Sequence, residues 1–177
     1  MDDNAYLEAC RGLSRAKIPY VIVGAFGVNL YAEEVGAVIL TVDCDLLLPA
    51  RTETLSKTLK VLRKLGYAFE AGGEPLVDET PDLLKNIVRA RACITARRKD
   101  ARLDLALEIA GCRFEALWKR HRRFRIRGQT VRVAPLADLL RSKALADRPK
   151  DRLFLETYRD ALGVLLTPRR RKTRNRK

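Results

Sequence analysis

Histidine occurs once in this sequence, and cysteine four times without a Cys-x-x-Cys pair. The lone His121 lies in a run of arginines, which argues against a histidine-based metal centre or catalytic triad and for a surface position. Cys10, Cys44, Cys93 and Cys112 are scattered, so neither a zinc site nor a disulfide framework is expected. No apolar run is long enough to span a bilayer, and Met1-Asp2-Asp3-Asn4 is acidic and lacks an apolar signal core. These absences point to a soluble, cytoplasmic protein in a reducing setting, with no membrane partner. Acids are outnumbered by bases: the net charge is +14, and the tail from Pro168 to Lys177 holds seven basic residues and no acid. Removing those seven charges leaves +7 on the body. A polyanionic partner is expected, nucleic acid before membrane, although a solubilising tail explains the terminal charges equally well.

What the chain does have is an apolar run broken by two carboxylates: Val38-Ile39-Leu40-Thr41-Val42-Asp43-Cys44-Asp45-Leu46-Leu47-Leu48-Pro49. In a strand, side chains alternate between faces, so Asp43 and Asp45 share one face while Val42, Cys44 and Leu46 take the other. Two such acids repel each other and lose hydration, and a nearby cation relieves both penalties. Their hard oxygens suit Mg²⁺, which binds through a few carboxylates together with water and phosphate oxygens. The bland alternative is a solvated pair at a strand end, and the neighbouring elements weigh against it.

Upstream, Tyr20-Val21-Ile22-Val23 predicts a short buried strand that stops at Gly24-Ala25-Phe26-Gly27 and turns into a helix reaching about Glu34. A strand-to-helix turn of this kind gathers free backbone N–H groups and suits phosphate, although glycine at a tight turn also has a purely steric explanation. Residues 3–16 predict an amphipathic helix capped by Asp2 or Asp3. Leu55, Leu59, Leu62 and Leu65 define a helix over residues 51–65, ended by Gly66. Residues 67–69 predict a short strand and 70–81 a loop. Alternation predicts strands over residues 88–97 and 102–109. In the second, Asp104 and Glu108 face away from Leu103, Leu105, Leu107 and Ile109, which makes Asp104 a candidate third carboxylate against an ordinary solvent face. Phe114, Leu117 and Trp118 mark a short helix. Two alternating runs about Gly128-Gln129 predict a hairpin whose outer face carries Arg123, Arg125, Arg127 and Arg132, either a nucleic-acid platform or a solvated face. Helices follow from Pro135 and from Arg148.

The element order predicts an α/β (α+β) fold. Its expected organisation is a core over residues 1–134, a helical segment over 135–166 packed on it, and a disordered basic tail over 167–177.

Three stretches carry a resemblance: Val23-Gly24-Ala25-Phe26-Gly27-Val28-Asn29-Leu30-Tyr31, Leu40-Thr41-Val42-Asp43-Cys44-Asp45-Leu46-Leu47, and the segment from Val131 through Lys143 to Asp147-Arg148-Pro149-Lys150-Asp151. In order and spacing the chain resembles the nucleotidyltransferase superfamily of DNA polymerase β-like fold, and looks closest to small bacterial abortive-infection-type nucleotidyltransferase toxins. The resemblance implies a mixed sheet flanked by helices and transfer of a nucleoside monophosphate from a nucleoside triphosphate (NTP) to an acceptor hydroxyl. It implies Asp43, Asp45 and Asp104 as catalytic residues and ligands of Mg²⁺ or Mn²⁺. Gly24, Ala25, Thr41, Lys143 and Lys150 are the implied nucleotide-binding residues. RNA or tRNA is the expected acceptor, and an antitoxin-like protein a further partner. Phe26 and Ile39 depart from the family, whose members commonly carry a second small residue after the glycine and often an Arg two residues before the Thr. A second reading therefore stands beside the first: a degraded member acting as an RNA- or partner-binding module.

Overall fold

The computed structural model describes residues 3–166. The chain opens with α1 (Asp3–Arg15), whose apolar stripe of Tyr6, Ala9, Cys10 and Leu13 is fully buried. β1 (Val21–Val23) runs directly into α2 (Gly24–Ala32), which ends in a 3₁₀ turn (Glu33–Val35). β2 (Cys44–Leu47) follows, then α3 (Thr52–Lys64), β3 (Ala68–Ala71), β4 (Glu74–Pro75) and α4 (Pro81–Ala90). A hairpin of β5 (Ile94–Arg98) and β6 (Ala101–Ala106) leads through α5 (Phe114–Arg120) to a second hairpin, β7 (Arg122–Ile126) and β8 (Gln129–Val133). Three helices close the described chain: α6 (Leu136–Ala146), α7 (Pro149–Thr157) and α8 (Arg159–Leu166).

The strands form one mixed sheet in the order β4-β3-β5-β6-β2-β1-β8-β7. β2 runs parallel to β6 and β1 parallel to β8, while the other neighbours are antiparallel. The central strands are largely buried and rich in Val, Ile and Leu. α1 packs on β6, β8 and α3, and α2 packs on β1, β2 and α6. Gly27 lets α6 approach closely, since a Cβ there would meet Leu139 at 3.2 Å. No helix among the described residues is long and apolar enough to cross a membrane.

Four expectations are corrected. The strand expected over residues 88–97 begins only at Ile94, because residues 81–90 are helical: Thr80 caps the helix by accepting from the Leu83 N–H (3.3 Å), Pro81 occupies its first turn, and Leu84 and Ile87 face the core. Thr-Pro followed by apolar residues three apart is a helix start, and it outweighs the later alternation. The long strand expected from Val38 is short. Val38, Leu40 and Val42 are 68, 81 and 79% exposed, Ile39 is buried, and pairing starts at Cys44. The strand expected over residues 102–109 ends at Ala106. The turn of the second hairpin is Arg127-Gly128, one residue earlier than expected, and both residues have positive φ (46° and 79°) as a two-residue hairpin turn demands. The basic tail expected over residues 167–177 and the Asp2 cap lie outside the described residues.

Candidate active site

Neighbouring strand ends bring the carboxylates together. Asp45 lies in register between Val23 of β1 and Asp104 of β6. Asp43 precedes β2 in a loop pinned by three contacts. The Ile39 N–H donates to Asn29 Oδ1 (2.8 Å), Tyr6 Oη donates to the Val42 carbonyl (3.1 Å), and the Leu40 N–H donates to Tyr158 Oη (3.3 Å). The resulting cleft has a volume of about 1080 Å³. Asp43, Asp45 and Asp104 line it together with Gly24, Ala25, Thr41, Lys143 and Lys150, so every site residue expected from the sequence is in one cavity.

The three acids are held differently. Thr41 Oγ1 donates to Asp43 Oδ1 (2.9 Å), which orients that carboxylate and occupies the hydroxyl. Asp45 has no hydrogen-bond or ion-pair partner among the described residues, and its carboxylate lies over the Gly24 backbone. Burial pushes its pKa up to about 6, the charges of Asp43 and Asp104 push in the same direction, and Lys143 and Lys150 oppose them. Asp104 is held by three hydrogen bonds: Arg102 donates two (3.1 Å to Oδ1 and 2.9 Å to Oδ2) and Thr95 Oγ1 donates a third (2.8 Å to Oδ1), which leaves Oδ2 able to accept another.

Arg102 is the residue that sequence reasoning missed. Asp104 raises its pKa by hydrogen bonding and charge, with Asp43 and Asp45 adding to the effect, so one guanidinium answers all three acids. The signal was present, since residues two apart in a strand share a face.

Opposite the acids, α6 and α7 supply cations. Lys143 Nζ lies 3.2 Å from Asp151 Oδ1 and 4.2 Å from the centre of the Phe154 ring, while Arg148 reaches Asp151 Oδ2 at 2.6 Å. Burial alone would raise the Asp151 pKa, but hydrogen bonds from Arg148 and Lys143 outweigh it and hold the carboxyl below its usual range. Asp151 is fully buried, so Asp151→Ala leaves Lys143 uncompensated and is expected to cost about 3 kcal/mol in urea denaturation. A depressed pKa contributes stability above the ordinary Asp value and loses it as pH falls. The gap between wild type and Asp151→Ala should therefore narrow below about pH 4.

The departures Phe26 and Ile39 both point into the core. Phe26 is 6% exposed and meets Tyr6 edge-on at 5.6 Å, and Ile39 is 2% exposed. Neither lines the cleft.

The donor chemistry of Asp43 and Asp45 fits a hard divalent cation, which needs a pair of carboxylates and takes its other oxygens from water and phosphate. Among the described residues no group of three or more His, Cys, Asp or Glu is gathered closely enough to hold a metal ion. Asp104 shares the cleft, but Arg102 and Thr95 fill its Oδ1 and Arg102 neutralises its charge, which leaves Oδ2 for a hydroxyl rather than for a cation.

This sheet, with its helices and its cleft at the β1–α2 turn, is the nucleotidyltransferase fold. Three solved structures are similar to it. The crystal structure of ANT(2″)-Ia in complex with adenylyl-2″-tobramycin superposes with a TM-score of 0.52 at 16% identity, over 92% of this chain and 94% of that one. The solution structure of the antibiotic-resistance factor ANT(2″)-Ia gives 0.52 at 17%, over 93% and 90%. An antigenic nucleotidyltransferase-like protein from Paracoccidioides brasiliensis gives 0.52 at 15%, over 94% and 78%. No family model matches the sequence, and no curated protein matches it. At these identities the likeness is one of fold.

Proposed function

We propose that the chain transfers a nucleoside monophosphate from a nucleoside triphosphate to an acceptor hydroxyl, in the cleft built on Asp43 and Asp45. The observation that carries this reading is the half-buried, unpartnered Asp45 beside Asp43, facing the uncapped N-terminus of α2. The triphosphate lies along the first turn of α2, where Gly24 leaves room and no acidic side chain repels it. Lys150 and Arg148 hold its phosphates from the opposite wall. When bound by Asp43 and Asp45, Mg²⁺ or Mn²⁺ supplies positive charge to the triphosphate and to departing pyrophosphate. Asp104 orients the acceptor hydroxyl beside the α-phosphorus, the new P–O bond forms as the bond to pyrophosphate breaks, and the hydroxyl proton leaves toward solvent. An adenylylated compound bound to ANT(2″)-Ia supports a cleft of this fold as a place for such esters.

Calorimetry tests the site: wild type should bind a triphosphate with Mn²⁺, and the Asp43→Asn, Asp45→Asn variant should lose both. Undiminished binding in that variant removes the site assignment.

The second reading, a non-catalytic binding module, has one observation in its favour, the neutralisation of Asp104 by Arg102. Arg102→Gln separates the two. For an enzyme that draws on Asp104, the variant should tighten Mn²⁺ binding by about tenfold through loss of a competing charge, read by the electron paramagnetic resonance of free Mn²⁺. Unchanged affinity favours the module.

A further inference from the structure

We infer that a single-stranded polynucleotide reaches this cleft along a basic, aromatic-lined track beside α5, and that its hydroxyl is the acceptor. The acceptor half of this inference rests on the transfer reaction proposed above.

The track begins in a hollow of about 590 Å³ walled by Lys17, Arg51, Lys119 and Arg132 and by the rings of Phe114 and Trp118. The two rings stack at 5.7 Å with 20° between their planes, one turn apart on α5. The Arg132 guanidinium lies 5.2 Å from the centre of Trp118. Arg51, Phe114 and Glu115 also border a second hollow of about 540 Å³, which adds Arg91 and Arg113 and reaches Glu108. Glu108 in turn lines the candidate active cleft, so the three spaces adjoin.

Charge and shape together select the ligand. None of Lys17, Arg51, Arg91, Arg113, Lys119 and Arg132 has a carboxylate within ion-pair distance among the described residues, whereas Arg63, Arg98 and Arg122 are matched by Glu79, Glu8 and Glu34. A row of unmatched cations attracts a phosphate backbone and releases its counterions. Half-buried aromatic faces within the same hollow offer bases a stacking surface. A lone triphosphate would use only the cleft, and an acidic peptide would use the cations without the rings. Lys60 and Lys64, exposed one turn apart on α3, have charge but border none of the three spaces, which makes them the natural control.

The test is fluorescence anisotropy of the full chain with labelled oligo(U) and oligo(dT) of about 15 nucleotides, across a salt series and without triphosphate. Arg51→Ala with Lys119→Ala should weaken binding by about tenfold and flatten the slope of log K against log salt by about 1.4, the share of two phosphate contacts. Trp118→Leu should weaken binding about tenfold and leave that slope in place. If Trp118→Leu does not fold, the charge pair carries the test. Lys60→Ala with Lys64→Ala should change affinity by less than about twofold. Tighter binding of either oligonucleotide supports the track and names the sugar. Equal weakening by the α3 lysine pair, unchanged binding in the track variants, or equal competition by poly-glutamate overturns it. Because binding is read without triphosphate, a track that binds in a chain that transfers nothing overturns the reaction and its acceptor, while the binding surface stands. Transfer by the intact chain with binding unchanged in the track variants overturns the track alone.

Discussion

Asp45→Asn is expected to lower nucleotide transfer by about 10³-fold or more and to make the protein more stable. Both effects have one origin. The Asp45 carboxylate is half-buried, has no hydrogen-bond or ion-pair partner among the described residues and sits in register beside Asp104, with Asp43 two residues away. A charge in that position weakens the fold and suits the site only if a cation or phosphate-bound metal answers it. Asn keeps the shape over Gly24 and removes the charge. The sign follows from the direction of the pKa. A carboxyl raised to about 6 costs stability while ionised, above about pH 6, and that cost fades as pH falls toward the ordinary Asp value. Urea denaturation should show Asp45→Asn more stable by roughly 2 kcal/mol at neutral pH, with the advantage shrinking near pH 4. A variant that is inactive and also less stable would mean that Asp45 belongs to the core.

The second large effect is expected at Gly24. Its φ is +67°, and a Cβ there would collide with the Asp45 carboxylate, whose carbon lies 2.7 Å away. Gly24→Ala therefore strains the turn and pushes Asp45 out of place. Triphosphate binding should fall by about 10²-fold, since displacement of reacting groups by about an ångström costs that much. Gly128→Ala supplies the comparison, because Gly128 also has a positive φ (+79°) but open space around it. It carries the backbone penalty alone, about 1 kcal/mol of stability with binding unchanged. Equal effects at the two positions would mean that backbone strain, rather than the contact with Asp45, explains Gly24.

The residues of the candidate site could be picked out by short-range rules: Gly24 marked the turn, Asp104 stood out as an acid among leucines, and Asp43 and Asp45 broke an apolar run. They line one cleft, although pairing starts at Cys44, so a loop rather than strand alternation brings Asp43 beside Asp45. The sheet bears out the expected mixed α/β fold at the level of element order. What the sequence concealed lies in competition between partners. Alternation at residues 88–97 is genuine, but the Thr80 cap and the buried Leu84 and Ile87 win residues 81–90 for a helix. Val38, Leu40 and Val42 look like a strand, yet hydrogen bonds that the segment donates to Asn29 and Tyr158 and accepts from Tyr6, all on other elements, hold it as a loop. No pattern of apolar residues can announce such contacts. Asp151 was hidden for the same reason, since its pairing with Lys143 is seen only when both helices are placed, whereas Arg102 shares a strand face with Asp104 and was open to the same alternation.

The central claim, transfer through Asp43 and Asp45, is tested most directly by supplying the full chain with each α-phosphate-labelled nucleoside triphosphate, Mg²⁺ or Mn²⁺, and total RNA, beside the Asp43→Asn, Asp45→Asn variant. The account predicts label joined to an acceptor and pyrophosphate released only when both acids are intact. Label transferred equally by the double variant, or by neither protein with any triphosphate, would contradict it.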